Sequence, residues 1–251
     1  MSVAAKADGR TPLTIGWKAA KANAAPAFIL QALMLALLIG YYVSPPVAHA
    51  LEWLAQQRRE GGIFFVLGAG IVAGALVPEI FVIVFFQRGK PRRENLRNLA
   101  FTVPSWAIDA LLVDGMYRLN SYWFGDVVTV PVLIAKICVD QFGYNPFFAA
   151  PVEVLIYEWK NEGVSWTSVR RSLTWANYRE RIVPTLLATW AVWMPLMAII
   201  YSLPLALQFP LFSVALTFWV LLLTYMTNHF SEKNEVDERL VLATAKPETS
   251  R

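Results

Sequence analysis

Charge is what this sequence has least of. Of its 251 residues, 16% are Asp, Glu, Lys or Arg, against roughly 25% in an average soluble domain. Hydrophobic residues make up 57%, and the mean hydropathy is +0.45. A chain this poor in charge does not read as a soluble domain; it reads as a polytopic membrane protein. Cysteine is nearly missing too. Cys138 stands alone, which excludes an internal disulfide and a cysteine-based metal centre. The two histidines, His49 and His229, sit at opposite ends of apolar segments, so a histidine-based metal site is not expected either. No metal and no cofactor is therefore assigned. Ser, His and Asp form no triad-like grouping, and Glu153 has no partner base for hydrolysis, so no catalytic residue is assigned and the chain is not read as an enzyme. The net charge of +4 comes from cations in short loops between apolar segments, so nucleic acid is not an expected partner. The lipid bilayer is.

What the chain has in abundance is apolar length. The expected fold is all-α, a bundle of six transmembrane helices at about 26–47, 62–87, 98–118, 130–157, 182–203 and 206–229, each close to the ~20 residues a crossing needs. A polar, basic segment (1–25) precedes it and a polar tail (230–251) follows. The first span ends in SPPVAHA, whose Ala48-x-Ala50 resembles a signal-peptidase site. An uncleaved span is the expectation; a cleaved signal, or a mitochondrial presequence in the acid-poor start, are the alternatives. Glu52 to Gly61 reads as a short polar loop, and Gly70 and Gly74 with Ala69 and Ala73 as a small-residue face for close helix packing. After Trp159, Ser165 caps a segment in which Trp166, Val169, Leu173 and Ala176 recur at helical spacing, with Arg170 and Arg171 opposite. That pattern describes an amphipathic helix lying in the membrane interface. The stretch 182–229 reads as a hairpin turning between Pro204 and Pro210.

Eighteen of the 22 Lys and Arg fall on one side of this arrangement, Arg58, Arg59 and Arg118 on the other, and Lys136 within a span. The positive-inside rule then places both termini on the cytoplasmic or matrix side, in a bacterial inner membrane or an organelle inner membrane.

The polar residues inside the spans are Glu79, Asp109, Asp114, Lys136, Asp140, Gln141 and Glu153. A charge at the bilayer centre costs about 2.5 to 3.5 kcal/mol on insertion scales, so these groups turn toward other helices or water. Val130 to Lys160 holds four of them and is interrupted by Pro146 and Pro151, which tend to bend a helix. Five carboxylates stand against one lysine, an imbalance that demands protonation, hydration or a cation. The expectation is a hydrated cavity lined by Glu79, Asp109 and Glu153 between the second, third and fourth spans. Lys136 is expected to pair with Asp140, one turn on, and with Asp114 across to the third span. Cys138 reads as a buried, inert small residue, and Trp17, Trp53, Trp123, Trp159 and Trp175 as interface anchors.

The order Lys136, Asp140-Gln141, Pro146, then Trp190, Trp193, Pro195, Pro204 and Trp219 resembles the Mpv-seventeen family of peroxisomal and mitochondrial inner-membrane proteins. Gly115 and Tyr117 match a Gly-rich span end, and Glu79 stands where the family has an Asp. The likeness covers about residues 62–228 and is specific only in its centre. Gln208 replaces a family Arg, the Asn-Phe pair is missing, and residues 1–61 add a span, which describes a divergent, bacterial-type branch. The resemblance implies a weakly selective channel for a small solute or ion. A proton-coupled carrier and a non-conducting structural or assembly protein are the other readings, and a homo-oligomer is compatible with each.

Overall fold

The computed structural model describes residues 11–152, 174–222 and 224, and these are almost entirely helical with no strand. Several helices carry proline in their first turn. Thr11 caps α1 (Pro12–Ala22), its hydroxyl accepting the Thr14 N–H at 3.4 Å, and Pro12 fills a first-turn position whose N–H needs no helical partner. After Asn23 comes α2 (Ala24–Val43). Ser44 is extended, and Pro45 and Pro46 open α3, a rod that continues through π-helical turns from Pro45 to Phe86. A tight turn leads to α4 (Arg93–Phe124). Helix α5 runs α-helically over Val130–Cys138 and π-helically over Val139–Ala149. Trp175–Asn177 and the π turn Tyr178–Ile182 lead into α6 (Val183–Tyr201), and after Pro204 the chain reverses into α7 (Leu205–Leu222).

Helices α2, α3, α4, α6 and α7 are each long and apolar enough to cross a membrane. The span expected at 130–157 is helical throughout its described part, but Lys136, Asp140, Gln141 and Asn145 leave it less apolar than the others. Met34, Val66, Leu196, Ile200, Leu207 and Leu211 meet in the core, while Phe28, Phe64, Ile80, Phe85 and Phe147 are exposed on the outside. A molecule that is apolar on both its inner and outer surfaces is at home only in lipid. This is an all-α polytopic membrane protein.

Several expected boundaries shift. The segment expected to be merely polar (1–25) contains α1, which packs against α6; a Cβ added at Gly16 would lie 2.7 Å from the Leu187 side chain. The expected loop from Glu52 to Gly61 is helical. Leu51, Ala55 and Arg58 are buried at helical spacing, so this polar stretch is one amphipathic face of α3 rather than a connector. The rod bends at Gly62, whose φ of 53° and ψ of −128° only glycine adopts without strain. Cys138, expected to be buried, is exposed. The body of the expected interfacial helix (residues 159–173) and the tail (230–251) lie outside the described residues.

Two of the prolines that interrupt the helices free backbone carbonyls that side chains from neighbouring helices take. Pro195 offers no N–H to the Ala191 carbonyl four residues earlier, and Gln31 of α2 donates its amide there (3.1 Å) and to the Val192 carbonyl (3.0 Å). In the π-helical part of α5, Pro146 offers none to the carbonyl of Gln141 five residues earlier, and the Trp190 indole of α6 donates to it at 2.8 Å. Trp190→Phe keeps the ring and removes this donor. The expected result is a loss of about 1 to 2 kcal/mol in mixed-micelle unfolding, because a buried carbonyl is left unmet.

Candidate functional site

Between α4, α5, α6 and α7 lies a cavity of about 850 Å³. Helix α4 contributes Thr102, Ser105, Trp106, Asp109 and Tyr117, and α5 contributes Asp140, Gln141, Tyr144 and Asn145. Thr185, Thr189, Trp193 and Met197 come from α6, and Phe212, Leu216 and Trp219 from α7. The lining reaches Asn98, Val152, Thr185 and Thr224 toward the end of the bundle that holds the turn at 87–92. The same sequence features build it on each wall. α4 and α6 carry Thr or Ser at intervals within otherwise apolar turns, and Thr102 and Ser105 return their hydroxyls to the carbonyls of Asn98 and Phe101 (2.9 Å each). Small hydroxyl residues therefore sit on an apolar helix without an unmet donor.

At the deep end the cavity stops on a chain of polar side chains. The Asn120 amide donates to the Tyr201 hydroxyl (2.7 Å), and that hydroxyl donates to Asp140 Oδ2 (2.8 Å). The Gln141 amide reaches Asp140 Oδ1 at 3.4 Å, and the Asn145 amide reaches Gln141 Oε1 at 3.4 Å. Asn120, Asp140, Gln141, Asn145 and Tyr201 are all buried. The ring of Tyr117 meets that of Tyr201 edge-on, centroids 5.5 Å apart, and its hydroxyl points to the Met197 sulfur at 3.8 Å. This network joins α4, α5 and α6 beside the cavity, with the buried Asn120 Oδ1 left without a partner among the described residues.

The expected site residues divide. Asp109, Asp140 and Gln141 line the cavity. Glu79 does not; it accepts a hydrogen bond from Asn95 (2.5 Å), whose carbonyl oxygen in turn accepts the Arg92 N–H, so it ties α3 to the start of α4 beside the turn. Glu153 lies outside the described residues. The cavity is also displaced from its expected place: it is enclosed by the third to sixth spans and not by the second, because α3 packs flush on α4 through Gly70 and Gly74.

Lys136 departs furthest from expectation. It is 3% exposed, yet among the described residues it makes no ion pair with Asp114 or Asp140; Asp126, in the loop before α5, is the carboxylate that acts on it electrostatically. Asp114 is taken by Arg58 of α3 and by Arg118 one turn along α4 (2.8 Å). The competing fact is the helical course of residues 45–61, which carries Arg58 inward. Read as a loop cation, it could not be a partner.

Tyr201, Asn120, Tyr117 and Tyr144 were not legible as site residues. Tyr201 and Asn120 each stand near the end of an apolar run, where a polar tip normally meets water. Of the other residues singled out in the sequence, Trp193 and Trp219 line the cavity with Asp140 and Gln141, and Pro146, Trp190 and Pro195 shape the helices around it.

Fold and site together define a multi-pass helical membrane protein with a polar-floored cavity inside its bundle. No family model, no curated protein and no solved structure matches the chain.

Proposed function

We propose that this protein is a channel of low selectivity for small polar or cationic solutes, related to the Mpv-seventeen family through its central motif. The observation that carries the reading is the cavity of about 850 Å³ that ends inside the bundle on the Asn120–Tyr201–Asp140 chain. The described lining residues that carry charge, Asp109 and Asp140, are both acidic. In this reading the cavity is the vestibule and the polar chain is the closed gate. The cations of Arg88 to Arg97 cluster at the end toward which the lining extends. By the positive-inside rule that end faces the cytoplasm or matrix, in a bacterial inner membrane or an organelle inner membrane.

Tyr201→Phe tests the gate. It removes the hydroxyl that both Asn120 and Asp140 use. Purified protein in planar bilayers is expected to show a raised open probability, together with a stability loss of about 1 to 3 kcal/mol from the two groups left short of a partner. Unchanged conductance with the stability loss would reduce the chain to a structural staple.

A proton-coupled carrier is the second reading, favoured by the two carboxylates, Asp109 and Asp140, among the lining residues. Saturation of solute flux at low turnover, with no unitary currents, would select it over the channel.

A further inference from the structure

The cavity has an acidic floor and aromatic walls, and the two are continuous. Trp193 and Phe212 have ring centroids 5.5 Å apart, Phe212 and Tyr117 6.1 Å, and Tyr117 and Tyr201 5.5 Å. The Tyr201 hydroxyl rests on Asp140 at 2.8 Å. A series of packed rings thus leads from Trp193 at the cavity wall to a buried carboxylate. Asp140 receives hydrogen bonds from Tyr201 and Gln141, while an ionised carboxylate offers about four acceptor positions. Among the described residues no Lys or Arg pairs with it.

Different solutes would meet these walls differently. A bare metal cation needs a shell of oxygen ligands, and most of this lining is carbon. An anion meets two aspartates. A sugar has more hydroxyls than the scattered Thr and Ser positions can answer. An ammonium ion carrying alkyl groups meets both demands: its charge is spread over a carbon surface that aromatic faces attract within about 6 Å, and a carboxylate balances it.

We propose that the cavity binds small organic cations, alkylated or quaternary ammonium ions, with Asp140 as the counter-charge and the half-buried Trp193 as the aromatic surface. The assignment rests on reading the cavity as a solute path and names the solute class.

The test titrates the purified full-length protein in detergent with choline, with its uncharged carbon isostere and with potassium chloride, by calorimetry. Choline is expected to bind saturably and at least tenfold more tightly than the isostere, with no saturable heat from potassium. Trp193→Leu and Asp140→Asn should each weaken choline at least tenfold, while Trp123→Leu, at an exposed helix end, should not change it. Trp193→Leu removes no charge and no hydrogen bond of the polar chain, so it decides the matter if Asp140→Asn fails to fold. Equal affinity for choline and its isostere, or choline binding insensitive to Trp193→Leu, overturns the proposal. Potassium currents without choline binding overturn it while leaving the channel standing. Choline binding with neither current nor transport upholds this site and removes the conducting reading.

Discussion

Replacing Asp114 by asparagine is expected to destabilise the protein by about 3 to 5 kcal/mol, the usual cost of removing one partner from a buried ion pair. Arg58 reaches Asp114 from α3 with its side chain 10% exposed, and Asp114 is 13% exposed. The asparagine keeps the shape and removes the charge, so the Arg58 guanidinium is left uncompensated inside the bundle. Arg58→Met should cost clearly less. Asp114 then still holds Arg118, whose side chain is 59% exposed and shares the charge with solvent. The asymmetry identifies the pair, and mixed-micelle unfolding of the two variants measures it. Lys136→Met supplies the contrast. With no ion-pair partner among the described residues, its replacement by an apolar side chain of similar length should be neutral or stabilising. A loss of several kcal/mol in Lys136→Met, with Arg58→Met silent, would restore the pairing expected from sequence spacing.

The second large effect is steric. A Cβ added at Gly74 would lie 2.2 Å from the Trp106 indole, and one at Gly70 would lie 2.3 Å from the Ala110 Cβ. The obstacle at Gly74 is the fused edge of an indole, not the tip of a flexible chain. Gly74→Leu is expected to cost about 3 kcal/mol, at the upper end for overpacking, because α3 must move away from α4. The effect should not stop at stability. Trp106 also lines the cavity, so a side chain at position 74 pushes the indole toward the open space. Reduced solute flux or choline binding in Gly74→Ala, at a smaller stability cost, would show the two surfaces of Trp106 to be coupled. Full stability in Gly74→Leu would mean that α3 and α4 do not meet here in the membrane.

How much of this was legible in the sequence depends on the kind of interaction. Apolar length is additive along the chain, so the helical membrane class and most helix positions follow from composition. The small-residue face at Gly70 and Gly74 was legible for the same local reason: four residues return to the same side of a helix. Asp109, Asp140 and Gln141 were legible as cavity residues because a polar group amid apolar turns has to face inward. Partners were not. Lys136 and Asp140 are one turn apart, and Asp114 sits at a matching depth, yet Asp114 binds Arg58, 56 residues away.

That choice was made by tertiary structure. Spacing along one helix fixes which residues share a face; it says nothing about which neighbouring helix brings a competing charge nearer. The course of α3 before Gly62 brings Arg58 to α4, and the packing of α6 against α5 brings the Tyr201 hydroxyl to Asp140. The carbonyls freed by Pro146 and Pro195 follow the same division. The sequence alone determines that each proline leaves a carbonyl without its helical donor, since the ring has no N–H. Only the packing of α6 against α5 and α2 decides that Trp190 and Gln31 supply the missing donors, because both come from distant parts of the chain.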